Sequence, residues 1–293
     1  MTREKRITRR DFLKLVTYSF VVGSVAVVGG AEYVTRIEPA WLDVVHLSLK
    51  LRRLDPAFSG FRLIQISDIH MGGWMNRERM DKVVQAILAE SPDMIVITGD
   101  YLLGHGWDES RQQALDDLSV ALKPLVDYSP TLTVMGNHDY WTDSKKIRHM
   151  LRAIGIFELS NSVYSLQRGN EHFHICGLDD VYEGRDRMDD LLARLPSEGA
   201  AMLLCHEPDF ADASAATDRF DLQISGHTHG GQVVLPFVGP IHTPKHGHKY
   251  PLGLYQVGNM IQYTNRGVGM ARIPVRFNCR PEITVYNLES AIE

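Results

Sequence analysis

Gly226-His227-Thr228-His229 places two imidazoles two residues apart behind a glycine, and Asp68-Ile69-His70 repeats the spacing with a carboxylate in front. Three further stretches offer the same kinds of atom: Gly99-Asp100, Gly136-Asn137-His138-Asp139, and Cys205-His206-Glu207. Each follows a short apolar run such as Ile95-Val96-Ile97 or Met202-Leu203-Leu204. Carboxylate, imidazole and amide donors in one set suit Mn, Fe or Zn, whereas Ca and Mg prefer shells of oxygen alone. A strand continued to His70 would turn Asp68 and His70 to one side, where both could chelate one ion. A two-ion site needs a shared carboxylate, and Asp100 stands by itself at its strand tip. No activated Ser or Cys motif accompanies the set.

These residues require strands to carry them. Unbroken β-branched runs ending in Gly read as buried strands, and chemistry in open α/β sheets collects at strand C-terminal ends. Helical spacing follows: Met80, Val83, Val84, Ile87 and Leu88, then Ala114, Leu115, Leu118, Ala121, Leu122 and Leu125, then residues 145–154 and 187–195. Residues 163–166 and 172–178 read as an antiparallel hairpin, and 38–58 as an early strand pair. Beyond Gln232 the chain is rich in strands and loops. Helices alternating with strands early, and hairpins late, predict a layered α/β sandwich with two sheets.

The five blocks Asp68-x-His70, Gly99-Asp100, Gly136-Asn137-His138-Asp139, Cys205-His206 and Gly226-His227-Thr228-His229 resemble those of the calcineurin-like metallophosphoesterases, in order and spacing. Together with the N-terminal segment and the contexts around Gly230-Gly231-Gln232 and 263–277, they are most similar to the bacterial YkuE/YaeI-type branch. The resemblance implies a four-layer α-β-β-α sandwich of two mixed sheets flanked by helices. It implies two metal ions (Mn, Fe or Zn), with Asp68, His70 and His229 on one, Asn137, His206 and His227 on the other, and Asp100 bridging. His138 would stand by the leaving-group oxygen as proton donor or charge stabiliser, oriented by Asp139. The implied reaction is hydrolysis of a phosphodiester or phosphomonoester by a metal-bridging hydroxide.

The chain has 293 residues, 44% hydrophobic and 23% charged, enough for one large domain after a short leader. A net charge of −5 gives no support to a nucleic-acid partner. Three Cys form no disulfide framework; Cys176 and Cys205 lie in apolar runs and read as buried thiols, Cys279 in a polar tail. Thr8-Arg9-Arg10-Asp11-Phe12-Leu13-Lys14 before an apolar run (Leu15 to Ala31) resembles a twin-arginine export signal. It assigns 1–37 to a signal or retained anchor, engaged by the twin-arginine translocase, and 38–293 to the catalytic domain. With Arg3, Lys5, Arg6, Arg9, Arg10 and Lys14 left inside, that domain belongs in the periplasm or on the outer face of the cytoplasmic membrane.

His248, Lys249 and Tyr250, in a loop that also holds His242, Lys245 and His246, are expected to face substrate phosphate. Arg266 either pins a turn or reaches the site. Trp74, Trp107 and Trp141 each follow a metal block closely and could wall the pocket. A second enzyme reading is a membrane-associated pyrophosphatase on a lipid-linked substrate such as UDP-2,3-diacylglucosamine, although UDP-linked precursors are cytoplasmic. A non-catalytic metal scaffold would have lost ligands, and none is missing. A di-iron redox enzyme would carry Glu-x-x-His pairs on helices instead.

Overall fold

The computed structural model describes residues 9–291. Arg3, Lys5, Arg6 and Thr8 of the basic leader lie outside the described residues. Helix α1 (Arg9–Glu32) is followed by a wide turn, Tyr33–Ile37, and a short one, Glu38–Ala40. Among the described residues, no helix is long and apolar enough to cross a membrane.

In chain order the body contains β1 (Asp43–Leu51), β2 (Phe61–Ile66), α2 (Arg77–Ala89), β3 (Met94–Ile97), α3 (Glu109–Tyr128) and β4 (Thr131–Thr133). There follow α4 (Asn137–Thr142), α5 (Ser144–Ile154), β5 (Phe157–Glu158), β6 (Ser162–Arg168), β7 (Glu171–Gly177), α6 (Met188–Arg194) and β8 (Ala200–Leu204). The remainder is α7 (Ala211–Ala216), β9 (Leu222–Ser225), the small hairpin β10 (Val234–Leu235) and β11 (Gly239–Pro240), then β12 (Gly253–Val257), β13 (Met260–Thr264) and β14 (Glu282–Ser290).

Two six-stranded sheets result, ordered β1-β14-β2-β3-β4-β5 and β12-β13-β9-β8-β7-β6. Both are mixed: β2, β3, β4 and β5 run parallel while β14 pairs antiparallel with β2, and β7, β8 and β9 run parallel beside the β6–β7 hairpin. The expected early strand pair over 38–58 does not form. That region supplies the single strand β1, whose partner is β14 in parallel, Val44 opposite Ile283.

Alternation along the strands makes three cores. Ile95 and Ile97 face α2, α3 and α5, with Met80, Ile87, Leu118, Leu122, Ile147 and Leu151. Their neighbours Met94 and Val96 face the second sheet, meeting Phe173, Met202, Leu204 and Ile224. Beyond it, Leu203 and Cys205 pack against Leu191 and Ala211 of α6 and α7. Helix, sheet, sheet, helix is the four-layer sandwich that the resemblance implied.

Buried polar contacts link the two sheets, and one is centred on Gln65. Gln65 donates to Thr98 Oγ1 (2.9 Å) and to Ser225 O (3.0 Å) of the other sheet, and accepts from Tyr286 Oη (2.6 Å). All four residues are buried. Tyr286→Phe strands the Gln65 carbonyl, and urea denaturation is expected to show a loss of about 1–3 kcal/mol with the slope unchanged.

Candidate metal centre

Every strand carrying a block stops short of it: β2 at Ile66, β3 at Ile97, β8 at Leu204, β9 at Ser225. Asp68 and His70 therefore do not share a strand face as expected. Five of the blocks' residues instead adopt left-handed backbone: Asp68 (φ 51°), His70 (48°), Asp100 (61°), His227 (70°) and His229 (52°). Non-glycine residues avoid this region, at a cost of about 1–3 kcal/mol each, and their concentration here marks a functional site. The tight turns fold the side chains back over the sheet ends and let the two sheets' loops interleave. The glycines ahead of them permit that approach. A Cβ on Gly226 would strike Ser67 Oγ and Asp68 Oδ2, and one on Gly136 would strike Asp100 Oδ1 and His206.

Asp100 lies at the centre, its Oδ2 3.5 Å from His70 Nε2 and 3.3 Å from His206 Nε2. His229 Nε2 is 3.4 Å from Asp68 Oδ1 and 3.0 Å from His70 Nε2. Donor atoms of Asp68, His70 and His229 all lie within 4.8 Å of one another, as do those of Asp68, Asp100 and His206, and those of His70, Asp100 and His138. His227 stands outside these triples, with its ring 4.9 Å from that of His206. Asn137 opens α4, its Oδ1 buried without a hydrogen-bond partner.

Proton bookkeeping shows what the cluster wants. His206 Nδ1 is 2.6 Å from Thr98 O, and a carbonyl only accepts, so Nδ1 carries the hydrogen and Nε2 aims a lone pair at Asp100. His227 is fixed in the opposite tautomer by Lys245 O, 2.8 Å from Nε2, which leaves its Nδ1 as the donor atom. Lone pairs facing a carboxylate in a buried site repel unless a cation stands between them, so the residues present fit metal ions. A proton meets the same demand: burial opposes charge on His206, yet Asp100 overrides it and raises the imidazole well above its ordinary pKa. Burial likewise works to raise Asp100, but His206 and His138 hold its carboxyl well below the usual range. His229 has no such proton; burial brings it down to about 4.

His138 is half-buried, its backbone N–H donating to Asp100 Oδ1 (2.9 Å) and its ring 4.6 Å from those of both His70 and Trp141. Burial depresses its pKa. Asp139 does not orient this ring. Its carboxylate accepts the backbone N–H groups of Asp100 (3.0 Å), Tyr101 (2.8 Å) and Gly136 (2.9 Å), and so ties two of the turns together.

A cavity of about 640 Å³ opens over Asp100, Asn137 and His138, lined also by Trp141, Tyr182, Val233, Ile241 and Ile273. His242, Lys245 and His248 of the expected loop reach it, together with Arg272, which was not singled out for it. Lys249 and Tyr250 do not: both turn away to Asp212, at 2.7 and 2.8 Å. Arg266 does not line it either, being paired with Glu282 and with Asp43 (2.9 Å). Trp74 and Trp107 pack against the first core under Arg79 and Lys146. Cys279, unremarkable in sequence, is buried with its Sγ 3.2 Å from His229 O, while Cys176 and Cys205 are buried thiols as expected.

The profile of the calcineurin-like phosphoesterase family matches residues 61–231. The chain belongs to that family, and is a metal-dependent phosphoester hydrolase. It is 36% identical to the uncharacterized metallophosphoesterase YkuE of Bacillus subtilis, over 98% of this chain and 99% of that one. To phosphodiesterase YaeI of Escherichia coli it is 30% identical, over 96% and 99%. Among solved structures it is similar to the NAD nucleotidase NadN of Haemophilus influenzae (14% identity, TM-score 0.46, 71% of this chain and 45% of that one).

Behind His206, the buried Asp180 faces Glu207, whose carboxylate accepts the N–H groups of Val181 and Tyr182 (both 3.1 Å). Burial and the Glu207 charge push Asp180 up to about 10. A carboxyl raised in the fold above its unfolded value near 3.9 contributes stability that is full below that value and fades as pH climbs towards about 10. Asp180→Asn removes this dependence, so the variant's urea midpoint is expected to fall less than the parent's between pH 5 and pH 9.

Proposed function

We propose that this centre holds two metal ions drawn from Mn, Fe and Zn and hydrolyses a phosphodiester or phosphomonoester. The observation that carries the reading is Asp100, one buried carboxylate between His70 and His206, with donor atoms of Asp68 near those of both His206 and His229. On this reading Asp68, His70 and His229 hold one ion, Asn137, His206 and His227 the other, and Asp100 both. When bound, the ions lower the pKa of a water and neutralise charge on the phosphoryl oxygens.

The chain's own groups do the rest. Asp139 and Thr98 O keep the turns and the His206 tautomer in place. His138, pinned through its backbone to Asp100 and exposed to the cavity, gives a proton to the leaving oxygen. Trp141 and Tyr182 shield the reacting side from water, and the cations Lys245 and Arg272 receive the anionic part of the ester. The Arg9-Arg10 pattern supports export by the twin-arginine route, with catalysis outside the cytoplasmic membrane.

Purified protein loaded with Mn²⁺ is expected to contain about two ions per chain and to hydrolyse bis-p-nitrophenyl phosphate or p-nitrophenyl phosphate. His138→Ala should lower kcat by about 10²–10⁴ with metal content intact. Asp100→Asn should lose metal and activity together. A chain that binds no metal under any loading condition would sink the proposal.

A further inference from the structure

The β10–β11 hairpin begins in the cavity wall and ends in solvent. Val233 and Ile241, just outside its two strands, both line the cavity. Between them the tip presents Phe237, fully exposed, and Val238, 74% exposed. Phe237 also sits in left-handed backbone (φ 66°), which a bulky residue leaves unless the turn holds it there. Leu235, Ile241 and Ile273 are exposed beside it. A clustered apolar edge at the mouth of a site is a contact surface, unlike single apolar residues scattered over a protein.

The same edge carries the exit of α1. Val234 N donates to Phe277 O (2.9 Å), Arg276 N to Val34 O (2.9 Å), and Cys279 N to Glu38 Oε1. One stretch, 276–279, thus has the hairpin on one flank and the end of the N-terminal segment on the other. Helix α1 itself exposes Phe12, Leu13, Val16, Val27 and Val28. Cations border the edge: Arg272 and Lys245 at the rim, and Arg280 3.8 Å over the ring of half-exposed Trp41.

We propose that this edge docks the protein on an anionic phospholipid bilayer, with Phe237 and Val238 entering the acyl boundary and the cavity mouth facing the headgroups. A bilayer asks for no matching groove, and it rewards an apolar tip bordered by Trp, Lys and Arg. The attachment is separate from α1 and does not depend on the reaction proposed above.

The test uses the full chain. All three native cysteines are buried, so Phe237→Cys can be labelled selectively with bimane, and Val120→Cys, exposed on α3, serves as the control. On phosphatidylcholine vesicles containing phosphatidylglycerol, the label at 237 is expected to shift to the blue and to be quenched by lipids brominated on the acyl chains. The label at 120 should stay in water. Phe237→Asp with Val238→Asp is expected to weaken vesicle binding about tenfold or more, with hydrolysis of a soluble ester unchanged. The proposal is overturned if the 237 label remains as accessible to aqueous iodide on vesicles as in buffer. Failure of the full chain to bind vesicles overturns it too, as does a blue shift that grows with protein concentration without lipid, the mark of self-association.

Discussion

Buried electron pairs that face one another are the constraint on which this structure turns. Asp68, Asp100, His206 and His229 aim acceptors into one small space that the chain shields from water. Nothing in that space is favourable until positive charge enters it, so every surrounding contact serves to keep the groups from drifting apart. Asp139 takes three backbone hydrogens, Thr98 O fixes one imidazole and Lys245 O another. Left-handed backbone at five positions adds further cost, borne by three cores whose central strands β3, β8 and β9 are wholly buried. Stability made between the layers is spent at their rim.

Much of this was legible from residue types. The order and spacing of the blocks specify a family, and the unbroken apolar run Met94-Ile95-Val96-Ile97 is what a strand buried on both faces requires. What spacing misreads is backbone direction. Asp68 and His70 look like two residues on one face of a strand, yet the strand has ended and two left-handed residues make the approach instead. The sequence signal was the glycine: Gly99, Gly136 and Gly226 stand where a Cβ would collide with the opposing loop.

The outer parts of the site were less legible, for a physical reason. Lys249, Tyr250 and Arg266 carry the functional groups a phosphate would choose, but pairs with Asp212, Glu282 and Asp43, 37, 16 and 223 residues away from the groups they hold, claim them first. Such claims are set by tertiary neighbours that no local pattern encodes. Asp139 failed similarly: its position beside His138 suggested a partner for the ring, whereas the start of α4 turns it towards backbone hydrogens.

The place of β14 has a consequence for how the molecule is made. This strand is the last in chain order among the described residues, yet it lies between β1 and β2, parallel to one and antiparallel to the other. Until residues near 290 have left the ribosome, the first strand has no neighbour and β2, which leads into Asp68, has an open edge. The early half of the sheet must therefore wait, partly assembled, for a segment synthesised more than two hundred residues later. Long-range closure of this kind is slow and leaves strand edges exposed meanwhile. Assembly of the centre is thereby made a late event in the life of the chain, completed as a unit rather than grown from one end.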